Sequence, residues 1–295
     1  MQEVRQSVKY QGYRSFNKLR NSQNHGGVCT LIHNDISKGV KLHLCTIEDV
    51  VVCKLIKSYF NLSKDIFIVN CYIRPFNSSP NETTHSGLDQ LKDLDQYLNN
   101  LLGQGEVIMC GDFNSRIGMD CDFIVDGQNG IDSYIPLPED YEPQELAHRN
   151  SKDTKSNSYK KPFLDMLINN KLHILNGRTL GDIQGNLTCI QYSGSSVVDY
   201  FITSSNCCQH ICHMTVHSFS TFSDHKPLAL VLNLMYISVD FHKPLDEIYE
   251  KAPLRYKLNL TSDNALKTTM NMALFITKAE KILNSYYNDS SDGNY

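Results

Sequence analysis

The chain has 295 residues, 41% of them hydrophobic and 20% charged, which is ordinary globular usage and excludes wholesale disorder and fibrous repeats. The length suits one large α/β domain or two small ones. Lys and Arg number 28 against 32 Asp and Glu, a net charge of -4, so a nucleic-acid partner would have to meet a local basic patch.

The polar N-terminus, Met1 to Gln6, has no apolar stretch behind it, so no signal peptide is expected and the chain reads as intracellular, in nucleus or cytoplasm. No run reaches the length of a membrane span. Residues 28–33, 50–56 and 66–72 are rich in Val, Ile and Cys between polar or Gly clusters and predict strands. Leu88, Leu91, Leu94, Leu98 and Leu101 recur at three- and four-residue steps, one apolar face of a helix. Residues 107–110 predict a short buried strand ended by Gly111. A long polar stretch follows, from about 118 to 161, with Lys152, Lys155, Lys160 and Lys161 near its end; a loop of that length is usually functional or mobile. A helix is expected around Phe163 to Ile168, then short strands at 172–175, 187–190, 197–202, 216–219 and 228–234. Many strands with few helices favour a layered sandwich. A domain is expected over 1–236. The weaker pattern of 237–295 reads as a linker with Pro244 and Pro253, then a helix capped by Ser262.

The ten cysteines include no Cys-x-x-Cys pair, and Cys29, Cys45, Cys53, Cys71 and Cys110 sit inside or beside apolar runs as core thiols would. Cys207, Cys208, His210, Cys212, His213 and His217 supply ligand types for a metal, but not at the spacing of a known finger. A polar connection with free thiols is the plainer reading.

Four strings place polar groups at the ends of apolar runs, where α/β folds gather catalytic residues: Asn70-Cys71-Tyr72-Ile73-Arg74-Pro75, Gly111-Asp112-Phe113-Asn114, Asp199-Tyr200-Phe201-Ile202-Thr203-Ser204 and Ser223-Asp224-His225-Lys226-Pro227-Leu228. Each alone fits a turn or a core aromatic as well as a site. In this order and spacing they resemble the endonuclease/exonuclease/phosphatase superfamily. The strings 172–178 and 196–200, with Ala252-Pro253-Leu254-Arg255-Tyr256-Lys257, are similar to the endonuclease domain of LINE-type non-LTR retrotransposons and the segment leading to its reverse transcriptase.

The resemblance implies a four-layer αββα sandwich and cleavage of DNA phosphodiesters assisted by Mg²⁺ or Mn²⁺, with no small-molecule cofactor. It implies Asp112 as the acid/base group, Asn114 on the same side of an extended segment to orient water or phosphate, and His225 as donor to the phosphate. It further implies Asp199 on the second imidazole nitrogen, Asp224 as metal ligand and Tyr72 on the phosphate. Relatives begin with an Asn-bearing strand and a second strand ending in a metal-binding Glu. Here only Glu3 is available for that role, and the expected fold lacks its first strands. Impaired catalysis in a remnant, or a gene model that begins too late, would look alike at this level. Arg74-Pro75 stands where DNA-repair relatives carry Pro-Asn, which argues against an abasic-site specialist. The alternatives are a phosphatase or phosphodiesterase of the same superfamily, or a non-catalytic module binding nucleic acid through Lys152 to Lys161.

Overall fold

In a computed structural model of the chain, residues 11–18, 27–75, 86–124, 148–220 and 222–234 are described. Glu3, most of the polar stretch 118–161 and the expected C-terminal linker and helix lie outside them. The elements in chain order are β1 (Tyr13–Lys18), β2 (Val28–His33), β3 (Val40–His43), β4 (Val50–Leu55), the short α1 (Lys57–Phe60), β5 (Ile66–Tyr72), α2 (Gly87–Leu102), β6 (Glu106–Asp112), α3 (Lys160–Asn169), β7 (Leu172–Ile174), β8 (Cys189–Gln191), β9 (Gly194–Ser196), β10 (Asp199–Ser204), β11 (Ile211–Val216) and β12 (Leu228–Leu232).

Six strands form one mixed sheet in the order β3-β4-β5-β6-β10-β7. β5 and β6 run parallel, from Ile66 beside Glu106 to Tyr72 beside Asp112, and the other neighbours are antiparallel. A parallel pair needs a crossover, and α2 supplies it. Its start is fixed by a capping box, with the Ser86 hydroxyl accepting from the Asp89 N–H and the Asp89 carboxylate accepting from the Ser86 N–H. Leu91, Leu94, Leu98 and Leu101 then face the sheet, each fully buried.

Side chains alternate across a strand, so each central strand feeds two cores. Phe67, Val69 and Cys71 of β5, Val107 and Met109 of β6, and Tyr200 and Ile202 of β10 pack under α2 and α3. Ile66 and Ile108 point the other way, where Phe16, Val28 and Ile32 of the β1–β2 hairpin and Ile211, Leu230 and Leu232 of the β11–β12 hairpin cover them. These hairpins are separate two-stranded sheets. The described residues thus make a helical layer, a six-stranded sheet and a second β layer of two hairpins; the second helical layer of the expected sandwich is not among them.

Several expectations shift. The strand expected at 216–219 lies earlier, as β11, because Ile211 and Met214 pack inward while Phe219 is half exposed. The strand expected to stop before Gly111 runs through it, pairing Gly111 with both Cys71 and Tyr200. The polar connection expected to carry the Cys/His cluster is instead a 3-10 helix, Ser205–His210, followed by β11. Among the described residues, no group close enough to share an ion comes from that cluster, since Cys207 is buried in the second core.

Gly111 has a φ of 137°, and a Cβ there would overlap the Cys71 carbonyl oxygen of the parallel neighbour. Both the backbone conformation and the close approach require glycine. Gly111→Ala is expected to cost about 1–3 kcal/mol from the conformation alone, more with the overlap, read as a lowered urea midpoint at constant slope. An unchanged midpoint would contradict this account.

Candidate active site

The site lies at the carboxyl end of the parallel pair β5 and β6. Asp112 ends β6 and Asp199 begins β10, and the two are register partners. Each acidic residue is followed by an aromatic that points to the opposite face. Phe113 and Tyr200 are both buried, each tilted against Phe163 of α3, at centroid distances of 5.0 and 5.5 Å. The Tyr200 hydroxyl donates to the carbonyls of Ser115 and Val197. Alternation thus pins the two carboxylates on one face by anchoring their neighbours in the core.

His225 comes from the segment before β12, held by backbone pairing to β8. The Ile190 N–H donates to the Asp224 carbonyl at 2.8 Å and the Lys226 N–H to the Thr188 carbonyl at 2.7 Å. His225 Nδ1 lies 3.0 and 2.9 Å from the two carboxylate oxygens of Asp199. Donor atoms of Asp112, Asp199 and His225 all lie within 4.8 Å of one another.

The electrostatics follow from that crowding. Burial first, and then the negative charges of Asp199 and Asp224, push the Asp112 carboxyl up to about 7, against the pull of the Asn114 N–H and of His225. His225 is also raised, to about 9, led by the hydrogen bond to Asp199, and here the rise favours the charged form. A carboxyl near 7 and an imidazole near 9 leave, between those values, a base without its proton beside an imidazole that keeps its own, as acid–base chemistry requires.

Asn114 departs from its expected pose. Its backbone is left-handed, φ 49°, and not extended. Its N–H donates to Asp112 Oδ1 at 2.9 Å, and its Nδ2 to the Ile73 carbonyl and to Asp112 Oδ2. This is the Asx turn that such residues favour, and it orients Asp112. Tyr72 is half-buried against the second core, on the same sheet face as Asp112 and beside it in register. Asp224 is exposed and accepts from Gln191 Nε2 at 2.7 Å; it groups with Cys189 and His225. Three carboxylates around one imidazole, one of them held above its ordinary range by burial and by its negative neighbours, form an oxygen-rich donor set that fits a hard divalent cation.

Sequence reasoning missed the groups that hold this arrangement. Thr188 Oγ1 accepts from the N–H groups of Val198 and Asp199. Buried Asn176 donates to the Asp199 carbonyl and accepts from the Phe201 N–H. Asp153, paired bidentately with Arg116, accepts from the Val197 N–H. No short motif marks them, because each acts through folded neighbours. Arg74 is buried against Glu48 and Asp49, so it is tied up in the fold.

No family model matches the chain, and no curated protein does. Solved structures do. The catalytic domain of Xenopus laevis APE2 is similar with a TM-score of 0.52 at 14% identity, over 79% of each chain. The AP endonuclease LMAP of Leishmania major is similar at 0.51 and 13% identity, over 77% of this chain and 71% of that one. The chain has the endonuclease/exonuclease/phosphatase fold. A further structure similar to it is the endonuclease domain of TRAS1, a telomere-specific non-LTR retrotransposon, at 0.49 and 16% identity, over 76% and 82% of the two chains. Among the described residues no helix is long and apolar enough to cross a membrane.

Proposed function

We propose that the chain is a divalent-metal-dependent DNA endonuclease domain of a non-LTR retroelement. The observation that carries the chemistry is the Asp112–Asp199–His225 cluster, with Asp199 spanning the imidazole Nδ1 and leaving Nε2 for a substrate. The retroelement part rests on the strings at 172–178, 196–200 and 252–257.

In this reading Asp112 takes the proton of the attacking water, held in position by Asn114. His225, charged through Asp199, donates from Nε2 to the phosphate oxygen that gains negative charge, where stabilisation matters most in phosphoryl transfer. Asp224, with Asp112 nearby, would hold Mg²⁺ or Mn²⁺, which when bound supplies positive charge to the phosphate. Tyr72 would contact the phosphate from its strand end.

DNA as substrate fits the rim. Tyr192 stands fully exposed in the turn joining β8 to β9, and Phe222 is 97% exposed just before His225. Exposed aromatic rings beside a phosphodiester site suit stacking on bases. The lysines of the alternative module are largely spent: Lys152 donates to Asn186, and Lys160 and Lys161 pair with Asp120 and Asp165.

The test is nicking of supercoiled plasmid in Mg²⁺ or Mn²⁺ beside EDTA, with inositol phosphates and other small phosphoesters in parallel. Metal-dependent nicking without turnover of the small substrates is expected; turnover of the small substrates alone would replace the endonuclease with a phosphatase. Tyr192→Ala should raise the dissociation constant for DNA by about tenfold, within the 1–3 kcal/mol of one stacked base. It should leave the nicking rate at saturating DNA unchanged. A rate at saturating DNA that falls as far as the affinity would show that the residue supports the site and not the DNA.

A further inference from the structure

The thiol of Cys189 occupies an environment unlike that of the other buried cysteines. Cys53, Cys71 and Cys207 lie within the two apolar cores. Cys189 is only 4% exposed yet belongs to neither. The charged groups around it are the carboxylates of Asp224, Asp199 and Asp112. Its strand also pairs with the His225 backbone, which brings the sulfur to the side of the imidazole segment. Donor atoms of Cys189, Asp224 and His225 lie within 4.8 Å of one another.

We propose that Cys189, His225 and Asp224 form a binding site for Zn²⁺, chemically distinct from an oxygen-only site for Mg²⁺. A sulfur, an imidazole nitrogen and a carboxylate oxygen form the donor set of a borderline-soft ion, and Mg²⁺ has little use for sulfur. Three protein ligands leave a fourth tetrahedral position open, as in sites where zinc keeps water or an anion. His225 Nδ1 is engaged by Asp199, and a carboxylate on the far nitrogen is the usual partner of a zinc-bound histidine. Asp224 is on the solvent side, so an ion has a path in. The site goes beyond the proposed activity and does not need it. Its consequence does rest on that reading: zinc would take the imidazole that donates to the phosphate and so stop cleavage.

The probe is Co²⁺ titrated into the full, reduced chain, followed by absorption. A thiolate-to-cobalt charge-transfer band is expected, displaced by Zn²⁺ but not by Mg²⁺. Cys189→Ser should abolish the band and weaken Co²⁺ binding by more than about a hundredfold, since even groups behind the ligands are worth about 10–100-fold. Cys207→Ser and Cys208→Ser should leave it intact. Absence of the band, its survival in Cys189→Ser or its loss in the Cys207 or Cys208 variant would each overturn the proposal. Should Cys189→Ser fail to fold, His225→Gln and Asp224→Asn decide: unchanged Co²⁺ affinity in either removes that residue as ligand and ends the three-ligand site. In the nicking assay, micromolar Zn²⁺ should inhibit the parent chain and spare Cys189→Ser. If the parent nicks no DNA under any metal, the cobalt titration still decides the site and the failure belongs to the nuclease reading.

Discussion

Asp112→Asn is expected to abolish DNA cleavage and at the same time to stabilise the fold. Loss of a base positioned on the attacking water removes about 10²–10⁴-fold in rate. The gain in stability comes from the same burial. The Asp112 carboxyl has an ordinary value of 3.8 and is raised to about 7 in the fold, by desolvation and by Asp199 and Asp224. A raised carboxylate disfavours the folded state when charged: the cost is absent below about 4, grows as pH rises, and is fully present above about 7. Asparagine carries no charge to desolvate. Part of the gain is offset, because its amide would meet the Nδ2 of Asn114, which now donates to Asp112, donor against donor. A net stabilisation of about 2 kcal/mol at pH 8 in EDTA, roughly 4–8 °C in melting temperature for a domain of this size, is the expected reading. The gain should shrink below pH 5, where both residues are neutral. It should also shrink in Mg²⁺, which supplies to aspartate the compensating charge that asparagine does not need. A variant less stable than the parent at pH 8 would show that Asp112 is not strained by its neighbours.

This trade-off explains why the site could be glimpsed in the sequence while its energetics could not. Asp112 and Asp199 were visible because each follows or opens a strongly apolar strand and precedes a core aromatic, a pattern that alternation makes directional. α2 was legible because its leucines repeat at the period of a helix, and β2 and β5 because they are short runs rich in Val, Ile and Cys bounded by polar or Gly clusters. β1 and β3 were not, since Tyr13–Lys18 and Val40–His43 are short, mix polar with apolar residues and bury only Phe16 and Val40 fully, and become strands only by pairing. The conformation of Asn114 was misread because a left-handed residue is chosen by the bonds it makes to Asp112 and Ile73, which are distant or local only in the fold. Cys189 and Thr188 carry no motif at all. They matter because β8 runs beside the His225 segment, a juxtaposition across more than thirty residues of sequence. The Lys152–Lys161 cluster read as a basic patch by composition, and its acidic partners Asp120 and Asp165 could be assigned only by folding.

Asp199→Asn separates the two roles that the carboxylate plays toward His225. As an ion it raises the imidazole to about 9, first through the hydrogen bond and then through its charge; as an acceptor it fixes which nitrogen carries the proton. Asparagine removes the charge and can turn its amide toward Nδ1, which would leave the proton on Nε2 only in the neutral ring. The raised imidazole stabilises the parent fold fully below about 6.5, and that contribution is lost as pH rises through about 9, so the variant should be less stable in neutral buffer and equal to the parent above pH 10. In cleavage, the parent should rise through the value of Asp112 and fall through about 9 as His225 loses its proton, a bell with its plateau between. The variant's alkaline limb should move down toward 6.5 while its acid limb falls too, because a negative neighbour of Asp112 has gone. At pH 8 the rate should drop by about 10²–10⁴-fold, and near pH 6 by less. A uniform loss across pH, with both limbs in place, would mean that Asp199 only holds the fold of the His225 segment and that the imidazole does not act as the proton donor.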